Sequence, residues 1–129
     1  MKPAGTGNTG APELTNEDLH TRRSAERRAR NESIFRDANE QIQSKARAFG
    51  LEDQRLPLLC ECDSESCTTL VRLTLAEYDY VRAEPTRFVL AHGHDAPPDR
   101  IVDEQEGFVI VEKQGKEAPL VAERDSRRT

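Results

Sequence analysis

All three cysteines of the chain, Cys60, Cys62 and Cys67, fall within eight residues of one another, directly after an apolar run, in the stretch LLCECDSESC. Few features restrict a fold more. In an extended segment Cys60 and Cys62 point to the same side, and the tight DSES loop can return Cys67 to them, so three sulfurs converge within reach of one ion. Three thiols cannot all pair with one another, and in a reducing compartment such a cluster reads as a metal or redox site rather than as a structural disulfide. The competing reading is three small buried hydrophobes, which a lone cysteine would suit better than a group of three.

A closed zinc site needs a fourth donor. The histidines are His20, His92 and His94. His20 lies far off on a polar segment, whereas the other two follow a strand-like run. His94 is favoured over His92 because Gly93 permits a sharp turn that swings the next imidazole back over the loop. Glu61 and Asp63 are alternative oxygen donors. Cys60, Cys62, Cys67 and His94 are thus the expected zinc ligands.

A metal would also answer an energetic need. The chain has 129 residues, is one-third charged and only 5% aromatic, so only about sixty residues are expected to pack, a size at which many domains need a staple. Structural zinc supplies roughly 10 to 16 kcal/mol of apparent binding free energy.

The remaining organisation follows from breakers and periodicity. Residues 1–14 are rich in Gly, Pro, Thr and Asn and are expected to form a disordered leader. From a Thr15 cap to about residue 49 no Pro or Gly interrupts the chain, which predicts one long helix of roughly 50 Å. Ile34, Phe35, Ala38, Ile42, Ala46 and Phe49 recur at helical spacing, so the second half is expected to dock. The first half, offering only alanines and arginines, is expected to project. Residues 56–114 read as a small α+β zinc-binding domain, with strands at LPLLCEC, TTLVRLTL and TRFVLAH and a hairpin RIVDEQEGFVIVEK turning at Glu106-Gly107. Between the second and third strands, TLAEYDYVRAEP carries a T-x-x-E capping box and a terminating Pro85, predicting a short helix with Leu75, Tyr78 and Val81 inward. Arg82, Glu84 and Arg87 read as surface charge. Residues 115–129 read as a disordered charged tail. The fold class expected is α+β: a long N-terminal helix on a small, mostly antiparallel sheet with a zinc knuckle and one short helix.

The stretch from the long helix through LLCECDSESC, LTLAEYDYVRAEPTRFVLAHGH and FVIVEK resembles a family of short, functionally uncharacterised proteins from high-GC, mostly actinobacterial, bacteria. Their C-x-C-x4-C segment is followed by LTLxEYxxVRxxPxxFxVxxGH. The resemblance implies a ligand role for His94, in the Gly-His pair, and brings no activity with it. A SWIM-type zinc segment would require histidine two positions beyond Cys67, where this chain has Thr69.

The run RRSAERRAR places Arg22, Arg23, Arg27, Arg28 and Arg30 against the lone acid Glu26. On a helix these form a basic surface suited to phosphates or to an acidic protein groove, with a merely solvated face as the plain alternative. The net charge of −5 argues against indiscriminate coating of nucleic acid, and no aromatic residue interrupts the run to stack on bases. A protein partner is therefore expected. No phosphate-binding loop, dinucleotide fingerprint or nucleophile elbow occurs, and no apolar stretch is long enough to span a bilayer. The functional expectation is a cytoplasmic, non-enzymatic zinc module whose basic helix contacts a macromolecular partner, in transcription or translation control. The alternative is a zinc-thiol redox switch whose oxidation releases the metal and alters partner binding.

Overall fold

The computed structural model describes residues 16–127, with side chains described over 23–127. Helix α1 (Asn16–Ala48) is followed by strands β1 (Leu56–Leu59) and β2 (Leu70–Leu73), helix α2 (Leu75–Arg82), strands β3 (Arg87–Leu90), β4 (Arg100–Glu104) and β5 (Val109–Glu112), and helix α3 (Glu117–Glu123). The α+β class is as expected, but the strands form two antiparallel sheets, β1-β2 and β3-β5-β4, where one was expected. The expected leader over 1–14 and the Thr15 cap lie outside the described residues.

Helix α1 ends where glycine allows it. Gly50 takes φ +73°, and the Leu51 amide reaches back to the Ala46 carbonyl at 2.9 Å, closing the left-handed helix stop that L side chains resist. Helix α2 opens with the predicted capping box: Thr74 Oγ1 accepts from the Glu77 amide at 3.1 Å and Glu77 Oε1 accepts from the Thr74 amide at 2.8 Å. Leu75, Tyr78 and Val81 face inward.

Strand β3 organises the interior. Its alternating side chains feed two apolar clusters: Phe88 and Leu90 pack with Cys60, Cys62, Val109, Val111 and Val121, while Val89 packs with Leu58, Val71, Leu73, Tyr78, Val81, Phe108 and Ile110. The period of two along a strand accounts for the division. The two sheets are linked past the end of β1, where the Glu61 amide donates to the Val89 carbonyl at 2.9 Å.

The long helix corrects its expected orientation. Its buried face comprises Ala25, Ala29, Glu32, Ser33, Arg36, Asn39, Gln43 and Ala46, whereas Ile34 is 57% and Phe49 76% exposed. Both halves therefore dock. In the first half, small alanines let the helix approach α3 and the cysteine cluster closely, with Ala29 packed beside Val121 and Cys60. In the second half, polar side chains reach orphan backbone groups. Arg36 donates to the Pro85 and Val121 carbonyls, each at 2.8 Å, with its guanidinium 4.4 Å from the centre of the Phe88 ring. Such contacts satisfy carbonyls that burial would otherwise leave unpaired.

The tail is likewise not disordered through 127. Helix α3 seats Val121 in the interior, and Arg28 donates to Glu117 at 3.2 Å. Beyond it, Arg127 donates to Glu40 at 2.7 Å and Gln43 at 2.6 Å on α1 and to Asp79 at 3.1 Å on α2. Arg82, expected at the surface, is buried between Glu40 at 2.5 Å and Asp125.

Candidate metal centre

The strand β1 run delivers Cys60 and Cys62, the 63–66 turn returns Cys67, and the turn after β3 delivers His94. The Cys60 amide donates to the Thr69 carbonyl at 3.1 Å, prolonging the β1-β2 pairing, and the Cys67 amide closes the turn on the Ser64 carbonyl at 3.1 Å. On the far side Gly93 takes φ +82° and the His94 amide bonds back to the Ala91 carbonyl at 3.1 Å. This is the sharp reversal that glycine was expected to permit.

One ligand atom from each of Cys60, Cys62, Cys67 and His94 lies within 4.8 Å of every other. His94 turns Nδ1 toward the sulfurs, 3.5 Å from Cys60 Sγ and 3.6 Å from Cys67 Sγ. Zinc bonds of about 2.3 Å to sulfur and 2.0–2.1 Å to nitrogen, opened to a tetrahedral angle, separate S from N by about 3.6 Å. The group is therefore compatible with zinc and could hold a metal ion. His92 is turned away, its Nε2–H donating to the Gln105 carbonyl at 2.7 Å. Glu61, weighed as an oxygen donor, faces the opposite side of the segment, and Asp63 is not part of the cluster. The side chain of His20 lies outside the described ones.

The electrostatics also suit thiolates on metal. Each sulfur receives a backbone N–H: Cys60 from Ala91 at 3.2 Å, Cys62 from Ser64 and Cys67 from Thr69. Such donors spread the negative charge that three thiolates bring to a +2 ion. Without an ion, burial pushes the Cys60 thiol up to about 12 and raises Cys62. Burial acts to raise Cys67 as well, but hydrogen bonds from the Thr69 backbone and side chain and from the neighbouring thiols outweigh it and lower its pKa. Cys60 and Cys62 form the buried half of the group, Cys67 and His94 the half-exposed one.

No family model, curated protein or solved structure matches the chain. Among the described residues no helix is long and apolar enough to cross a membrane.

The arginine run separates into two kinds of residue. Arg23, Arg27 and Arg30 are exposed and have no hydrogen bond or ion pair among the described residues. Arg28 is instead half-buried and committed to Glu117, so it belongs to the α1-α3 contact rather than to a free basic face. The side chain of Arg22 lies outside the described ones. Reading the sequence for ligands missed the residues that hold the ligand-bearing segment from behind, Asn39 and Tyr78. The signal available was the alternation C-E-C itself, which puts the acid on the reverse of the two thiols.

Proposed function

We propose that the chain is a cytoplasmic, non-catalytic zinc-binding module of the actinobacterial group it resembles, in which a structural zinc holds the fold and helix α1 meets a macromolecular partner. The observation that carries the zinc reading is the convergence of three thiols and one imidazole to within 4.8 Å. Four protein donors leave no coordination position for water in a tetrahedral site, which favours a structural over a catalytic metal. The partner reading rests on Arg23, Arg27 and Arg30, three exposed cations on one helix with no acid committed to them among the described residues. An acidic protein surface, engaged in transcription or translation control, is the complement.

Elemental analysis of purified protein should return one zinc per chain, and His94→Ala or Cys67→Ser should abolish it; metal-free wild-type protein would end the zinc reading. For the partner, charge reversal of Arg23, Arg27 and Arg30 to Glu, with zinc content as a check on folding, should release the proteins bound by the wild type. Retention of all of them would remove the arginines from the interface.

A second reading draws support from Cys67, which is half-exposed and has the lowered pKa. A hydroperoxide accepting two electrons from Cys67 and one neighbouring thiolate would be reduced to water and an alcohol, form a disulfide and expel the zinc. Reversible zinc release at low peroxide, with altered partner binding, distinguishes this switch from an inert structural site.

A further inference from the structure

Metal ligation requires nothing of the residue between Cys60 and Cys62, yet Glu61 is fully buried and both of its carboxylate oxygens are engaged. Oε2 accepts from Tyr78 Oη at 2.6 Å and from Asn39 Nδ2 at 2.9 Å; Oε1 accepts from the Val89 amide at 3.1 Å. These donors come from α2, α1 and β3. Asn39 also brackets Leu59, the residue before Cys60, accepting from its amide at 2.7 Å and donating to its carbonyl at 2.8 Å.

We infer that Glu61, braced by Asn39 and Tyr78, is the positioning residue of the metal centre. This rests on the metal-binding reading. An extended segment can roll about its own axis, and each degree of roll displaces Cys60 and Cys62 Sγ together on the opposite side from Glu61. Anchoring the acid at three points removes that freedom. It also sets the distance between the two stretches that supply ligands. Glu61 exchanges two hydrogen bonds with Val89, one through its backbone amide and one through its side chain standing in for a carbonyl. Two residues on, the Ala91 amide meets Cys60 Sγ, and the same strand then turns at Gly93 to present His94. A register error between these stretches would move the imidazole away from the sulfurs. Glu61 thus prevents that error before any ion arrives, a form of preorganisation usually supplied by hydrogen bonds to the ligands themselves.

The decisive experiment is competition titration of zinc against a chromophoric chelator, with cobalt(II) absorption spectra, on wild type, Glu61→Gln, Tyr78→Phe and the control Val81→Ala. Glutamine preserves the volume, but its amide must turn a donor toward either the Val89 amide or the Tyr78 and Asn39 donors, so one anchor is lost. Glu61→Gln should weaken zinc binding by about 10- to 100-fold, the range for lost outer-shell support, and shift the cobalt ligand-field bands. Tyr78→Phe should do the same to a smaller degree. Val81→Ala removes apolar packing from the cluster that holds Tyr78 and Val89 but none of the hydrogen bonds to Glu61, and should leave the cobalt spectrum unchanged. Wild-type zinc affinity and cobalt bands in Glu61→Gln would overturn the inference, and if that variant does not fold, the same result in Tyr78→Phe would do so. A wild-type protein that binds neither ion would instead remove the metal reading on which it stands.

Discussion

Removing the proposed zinc with a strong chelator is expected to lower the thermal unfolding midpoint by about 20 °C or more, since a structural zinc contributes roughly 10–16 kcal/mol against a typical domain stability of about 5–15 kcal/mol. The reason lies in what remains. Cys67 and His94 sit on turns outside the strands, and without an ion their side chains meet Cys60 through thiol–thiol and thiol–imidazole contacts. Loss of order should therefore begin in the knuckle and the 91–99 loop, seen as early amide exchange there, while β3-β5 pairing persists longest. Acidification should act in the same direction, because protons compete with the metal for thiolate and imidazole. Melting that is indifferent to chelator would contradict the stabilising role of the metal.

Lys113→Met is expected to cost about 3–5 kcal/mol, the usual consequence of removing one member of a buried ionic group. Lys113 is 2% exposed and its ammonium lies 2.5 Å from Glu32, 3.0 Å from Asp99 and 4.0 Å from Glu117. Arg28 is the second cation, on Glu117. Two cations face three carboxylates, so one retained proton balances the charge. Burial, with the Glu117 carboxylate alongside, assigns it to Glu32, whose pKa is pushed up from 4.5 to about 10. The sign follows from linkage. The folded state holds a proton that the unfolded chain releases above pH 4.5, so this group's contribution is complete below that pH and is lost as pH rises toward 10. Denaturant titrations across that window should show stability falling with pH in the wild type and a flatter profile in Glu32→Gln, which carries its hydrogen permanently. A Lys113→Met variant within 1 kcal/mol of wild type would show that the carboxylates find another compensation.

The features legible in the sequence were those with local causes. The capping box at Thr74 and Glu77, the Gly93 reversal, the hairpin after β4 and the placement of His94 rather than His92 beside the sulfurs each depend on residues within a few positions, and each stands in the structure. What escaped depends on groups distant along the chain. The hydrophobic periodicity pointed to Ile34, Phe35, Ala38, Ile42, Ala46 and Phe49; Ile42 and Ala46 do pack on the core, but Ile34 and Phe49 are exposed, and Arg36 and Asn39 instead meet backbone groups of Pro85, Val121 and Leu59, which no local pattern announces. Helix α3 was equally hidden, being short and charged and carrying Pro119, which the first helical turn tolerates. Its place comes from Arg28 and Arg36 of α1, more than eighty residues away.

The polar underside of α1 has a mechanical consequence. A helix resting on leucines can slide or twist by a few degrees with small loss at each contact, because dispersion is shallow and non-directional. Hydrogen bonds at Arg36, Asn39 and Gln43 weaken steeply with angle, so this helix has one azimuth and one depth at which it fits, as a key has in a lock. A graft of a greasier helix of equal length would be held by the same groove without finding that setting.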